Sequence, residues 1–276
     1  MHHKSHATLR TLILAAASSM LAFTTSTLAA PVPIINPGFE SLNVTLRPGE
    51  QTNGAGGAPI GLPETPVTTR WQFPFNPNGN TAQSGVIVPG WRTANPGSGS
   101  LAGVLNPNVL INRNGVDTPW MTGYSGNHIA TAQAAFMQQT LSTQVQPNTT
   151  YTLTFLAGIG ITDSEYTPLI QLLAAPDLTT FITPGVPGVE FLARYEGGPI
   201  RQAQFGVMQS LSMTVTTPAV LPPTLQGKYL AIAFLGSDGI PRTTYDDFIL
   251  DATPVPTPGT LALLTIGAAL TMRRRR

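Results

Sequence analysis

The sequence predicts an all-β protein: a two-sheet jelly-roll β-sandwich, flanked by an N-terminal signal helix and a short C-terminal apolar helix. Three observations predict it. Residues 31–252 repeatedly alternate apolar and polar side chains with period two and keep no long stretch of helical period. The 276 residues include 27 Gly and 26 Pro, which suits many short strands joined by turns. Only 10% of residues are charged against 42% hydrophobic, low for a soluble domain.

Composition also excludes several chemistries. With no cysteine there is no disulfide framework, zinc-thiolate site or thiol nucleophile. Three of the four histidines (His2, His3, His6) precede the first apolar run, so His128 is the one imidazole of the body and triads or multi-histidine metal sites are disfavoured. Between residues 31 and 272, eight basic side chains stand against all 13 acids, a net charge of −5, which argues against nucleic acid as a partner.

Taken in order, the chain opens with a polar stretch holding Lys4 and Arg10, an apolar run over 12–23 (LILAAASSMLAF) and the small residues of TSTLAAP. This is the pattern of a signal peptide over 1–30, cut by signal peptidase after Ala29 or Ala30; the apolar run is short for a membrane span, and the alternative is an uncleaved anchor. Residues 47–66, 74–85 and 93–119 are rich in Gly, Pro and Asn and are expected to be loops. Strands are expected over 67–73, 86–92, 127–141 with a break, 150–158, 168–174, 189–195, 205–216, 228–235 and 244–251. The alternation is clearest in YTLTFLAG at 151–158, where Tyr151, Leu153, Phe155 and Ala157 share one face. One sandwich domain is expected over 31–252, with a Pro-rich linker over 253–258.

The chain ends in TPVPTPGTLALLTIGAALTMRRRR: a proline spacer, an apolar stretch from Gly259 to Met272, and Arg273, Arg274, Arg275 and Arg276. This order resembles the PEP-CTERM tails processed by exosortases in Gram-negative bacteria that make extracellular polysaccharide. The family's Pro-Glu-Pro signature aligns with Pro256, Thr257 and Pro258, so Thr257 stands where the family has glutamate. The resemblance implies an exosortase-type processing enzyme as partner, transient inner-membrane association over 259–276, and export to the cell envelope, the outer surface or the medium. The alternative is an ordinary tail anchor, with the arginines cytoplasmic.

Within the body, PIINPGFES (33–41), the Gly90-Trp91 pair, GNHIATAQAAFMQQTLSTQVQPNTTYTLTFLAG (126–158) and TTYDDFILDA (243–252) come in order. Together they resemble galactose-binding-like jelly rolls, particularly bacterial carbohydrate-binding modules. In that family the first and last strands lie close, and a structural calcium often takes the motif glutamate and an aspartate of the terminal pair. The resemblance therefore implies Glu40 and Asp246 or Asp247 as calcium ligands, a donor set that calcium accepts; the alternative is carboxylates that are merely solvated or bonded to backbone. Sugar-binding modules stack pyranose faces on aromatics, and Trp71, Trp120, Tyr124 and Asn127 are the candidates for that contact; Trp91 is expected in the core. No nucleophile elbow or phosphate loop is present, because Gly123-Tyr124-Ser125-Gly126-Asn127 lacks the final glycine. The expectation is thus a non-catalytic polysaccharide-binding module of the cell envelope, with a structural or adhesive matrix protein as the alternative and a carbohydrate-active enzyme as a distant third.

Overall fold

The computed structural model describes residues 28–41, 50–51, 60–61, 71–73, 83–84, 88–94, 101–105, 110–113, 116–119, 121–133, 136–159, 165–180, 182, 186–236 and 243–256. The expected signal helix (but for Leu28, Ala29 and Ala30) and the expected C-terminal helix lie outside these residues. In chain order the first strands are β1 (Ala30–Val32), β2 (Glu50–Gln51), β3 (Ile60–Gly61), β4 (Trp71–Phe73), β5 (Gln83–Ser84) and β6 (Arg92–Ala94). There follow β7 (Leu101–Leu105), β8 (Leu110–Arg113), β9 (Val116–Pro119), β10 (Ile129–Gln133), β11 (Phe136–Gln144) and β12 (Thr149–Ile159). The last are β13 (Leu169–Ala175), β14 (Glu190–Arg194), β15 (Gln209–Thr216), β16 (Tyr229–Leu235) and β17 (Thr243–Pro254).

Two antiparallel sheets form the sandwich. The first has the order β15-β12-β17-β10-β7-β4 with β1 added on β17, and the second runs β14-β13-β16-β11-β6-β5. Period-two burial is cleanest in β12, where Tyr151, Leu153 and Phe155 are buried and the threonines between them are not. β16 is buried over five consecutive residues because its second face is also covered. The break expected within 127–141 is where the chain leaves the first sheet after β10 and enters the second at β11.

Between the sheets the core is aromatic. Phe39, Trp91, Phe155, Phe234, Tyr245 and Phe248 are all at most 2% exposed. The Phe39 and Trp91 rings are 5.0 Å apart, and Phe234 lies 5.6 Å from Phe248. Each such side chain contributes roughly 1.5–3 kcal/mol by leaving water.

Several expected spans differ: the expected loops 47–66 and 74–85 contain β2, β3 and β5, and the strand expected over 205–216 begins at Gln209. The strand expected over 86–92 begins only at Arg92, because Pro89 and Gly90 make a turn closed by Trp91 N–H donating to the Val88 carbonyl at 3.0 Å, with Gly90 at φ 85°. Residues 93–119, expected as loop, contain β7 inside the first sheet and the β8–β9 hairpin. Their segments are too short and too interrupted by Asn and Gly for alternation to show.

Candidate functional site

The site is built where the first and last strands meet. β1 pairs with β17 through Val32 and Leu250, which brings PIINPGFES back beside the last strand. Asn36 and Phe39 both take left-handed backbone, φ 50° and 59°, and the Asn36 side chain fastens the turn by bonding the backbone of Ser41 in both directions, at 2.7 and 2.9 Å. The tight turn drives Phe39 into the core and leaves Glu40 at the rim. Trp91 Nε1 donates to the Asn36 carbonyl at 3.1 Å, so the buried indole has its partner and holds the same turn.

The paired aspartates depend on an irregularity in β17. Thr154 faces Ile249 and Leu156 faces Asp246, so two residues of β17 oppose one of β12. Asp247, within this bulge, has φ 47°. In a regular strand neighbouring side chains point to opposite faces. The bulge instead turns both carboxylates toward one loop: Ser125 N–H donates to Asp246 Oδ2 at 3.0 Å and Ser125 Oγ to Asp247 Oδ1 at 2.7 Å.

Glu40 grips the next residues of that loop. The backbone N–H groups of Asn127 and His128 donate to its Oε1 at 2.9 and 2.8 Å, and His128 Nδ1 lies 3.4 Å from its Oε2. Gly126 makes this approach possible: it has φ 65°, and a Cβ placed there would stand 2.3 Å from Glu40 Cδ. Ser125 and Gly126 were not among the expected site residues; the only sign of them in the sequence is the small, flexible GYSGN run.

Asp246 is fully buried, and burial together with the neighbouring Asp247 and Glu40 charges lifts its carboxyl to about 7 against the Ser125 and Asp247 N–H bonds that oppose the rise. Such crowding of carboxylates is what a hard cation relieves. Among the described residues no group of three or more His, Asp or Glu side chains is arranged to hold a metal ion, so calcium here would draw on backbone carbonyls and water beside Glu40, Asp246 and Asp247.

The expected aromatic contacts do not gather at this corner. Tyr124 is half-buried against the small Met121, Ile129 and Met208 cluster, and burial raises its hydroxyl pKa. Asn127 is exposed and its described contribution is its backbone N–H to Glu40. Trp71 lies in β4, where only the backbone is described, and Trp120 lies outside the described residues. Of the sorting residues, Pro256 is described; Thr257, Pro258 and the arginines 273 to 276 are not. Among the described residues no helix is long and apolar enough to cross a membrane.

Comparison with known proteins decides the family. The sequence profile described as HpiC1 cyclase, of the HpiC1-like family, matches residues 30–248. The chain belongs to the HpiC1-like family. Among solved structures it is similar to the Stig cyclase Fisc from Fischerella sp. TAU, with 18% identity over 83% of this chain and 100% of that one, TM-score 0.47. It is also similar to a cyclase of the same organism in complex with 4-(1H-indol-3-yl)butan-2-one, with 19% identity over 83% and 100%, TM-score 0.46. A xylan-binding domain from Paenibacillus barcinonensis has 10% identity over 60% of this chain and 88% of that domain, TM-score 0.36. No curated protein matches the sequence.

Membership of the HpiC1-like family corrects three expectations. The chain is not read as a non-catalytic polysaccharide-binding module, nor as a structural or adhesive protein, because the family is one of cyclases. The expected absence of enzymatic activity is overturned by the same match. The matched family is also not one defined by membrane sorting or carbohydrate binding. The physical reason for the error is plain: PIINPGFES and TTYDDFILDA build a corner of the scaffold, and a scaffold does not fix the chemistry carried on it.

Proposed function

We propose that this chain is an enzyme that closes a ring in a small-molecule substrate. The observation that carries this is the family match along 30–248, which spans the sandwich from β1 into β17. The architecture suits the role, since a rigid two-sheet core can hold reacting groups in fixed positions. The carboxylate corner serves this enzyme as a brace: calcium at Glu40, Asp246 and Asp247 would tie the first turn, the last strand and the loop 125–128 together. Export through the N-terminal leader belongs to the same reading, supported by the charged, apolar and small-residue segments of residues 1–30.

The test is conversion. Full-length protein is incubated with a small-molecule extract of its source cells and followed by untargeted mass spectrometry, with heat-inactivated protein alongside. Active protein should consume one feature and release a product of the same mass, or one lighter only by a leaving group. Identical profiles with active and inactivated protein would count against the reading.

A further inference from the structure

The order of the two sheets ends on four edge strands, and three of them are guarded against pairing with another chain. β4 has three residues and an irregular register, and β5 has two. β14 is bulged, with Leu192 left over between Phe191 and Ala193, and it carries Glu190 and Arg194. β15 has no such guard. Its eight residues, QSLSMTVT, hold no charge, proline or glycine, and they pair with β12 without a shift, from Thr216 opposite Thr150 to Gln209 opposite Ala157.

Among the described residues, β12 is the one strand bonded to β15. In an antiparallel pair alternate residues exchange N–H and C=O bonds, and the residues between them direct theirs to the other side. β15 therefore offers a row of donors and acceptors, about 27 Å long, on its open side. The side chains show the same open flank. Ser210, Ser212, Thr214 and Thr216 are exposed, and Leu211 and Val215 are only half-buried although they pack on the core.

What fits this edge is a second copy of the same edge. The outward groups belong to alternate residues, so any two-fold antiparallel pairing that bonds them sets even-numbered residues opposite even and odd opposite odd. Hydroxyls then meet hydroxyls on the outer face, continuing the Thr150–Thr216 bond of 2.8 Å, while Leu211, Met213 and Val215 meet one another on the core side. Beyond the two ends of the strand stand Val207 and Val220, 42% and 82% exposed. Antiparallel pairing lays the Val207 end of one copy against the Val220 end of the other, so both apolar ends gain cover. The acidic body would repel its own copy wherever carboxylates met, and this edge holds none. We propose that β15 is the interface of a two-fold dimer, in which the first sheets of two copies join edge to edge through antiparallel β15 strands.

The test is sedimentation velocity of the full-length protein over a dilution series. A strand pair with its flanks lies at the small end of specific interfaces, below about 1,200 Å² in total, so the dimer should dissociate in the micromolar range. Ser212→Lys together with Thr214→Lys sets like charges opposite each other whether the two-fold axis passes at Ser212 or at Met213. This pair should weaken the dimer about tenfold or more, and the matching pair of Glu substitutions should do the same. Mixing the Lys and Glu variants should restore a dimer holding one copy of each. Phe191→Lys, on the guarded edge of the other sheet, should leave association unchanged. Circular dichroism and melting temperature show which variants are folded. Should either charged pair not fold, Ser212→Lys and Ser212→Glu carry the same comparison. A monomer at every concentration, association that survives the charged substitutions or is lost with Phe191→Lys, or Lys and Glu variants that stay apart when mixed, overturns the interface.

Discussion

At the scale of single residues, the carboxylate corner is held by atoms with no room to vary. Gly126 combines φ 65° with a position 2.3 Å from Glu40 Cδ for any added Cβ. Gly126→Ala should therefore cost about 1–3 kcal/mol of stability, from left-handed strain and displacement of Glu40; denaturant unfolding measures it. Asp246 gives a second prediction with a definite sign. Its folded pKa of about 7 lies above the ordinary 3.8, so folding favours the protonated form. In chelator, its stabilising effect is full below about pH 4 and is lost as pH rises toward and through 7. Asp246→Asn, which mimics the neutral carboxyl, should flatten that part of the curve; an unchanged slope in the variant would place the titration elsewhere. Of this corner, Glu40 and the Asp246-Asp247 pair were legible in the sequence, because their motifs stand at the start and end of the body. Ser125 and the bulge were not: nothing in TTYDDFILDA says that one residue turns to φ 47°, since a bulge is fixed by pairing with a strand about 90 residues away.

At the scale of elements, the long alternating strands were readable and the short ones were not. β12 and β16 announce themselves through period-two or continuous burial, and the observed β12, Thr149–Ile159, extends the expected 150–158 by a residue at each end. β7 was lost among Gly and Asn, although Val104 is fully buried, because five residues offer too few alternations to stand out. The junction of β1, β17 and the loop 125–128 is where a bound cation would act on stability. Calcium added to chelated protein should raise the melting temperature by roughly 5–10 °C at a hundredfold excess over its Kd. Glu40→Ala should remove most of that response. A melting temperature indifferent to calcium would leave the carboxylates as acceptors for backbone N–H groups alone.

At the scale of the whole molecule, the fold was readable and the activity was not. Turn-rich composition and alternation are demanded by a sandwich whatever it does, so they predict the architecture but cannot separate a binding module from a cyclase. The aromatic core is part of that shared architecture: Trp91→Ala should cost about 3–5 kcal/mol by thermal or denaturant unfolding, since the indole is 2% exposed, packs on the Phe39, Phe234 and Phe248 rings and also holds the Asn36 turn. What the family adds is the expectation of turnover, and the most direct measurement of it is the structure of a product. Full-length protein, used at far below the concentration of the consumed extract component, should convert it over many turnovers, and NMR of the purified product should show one new ring bond absent from the starting compound. A component that is bound stoichiometrically and recovered unchanged, with no ring formed, would contradict the account.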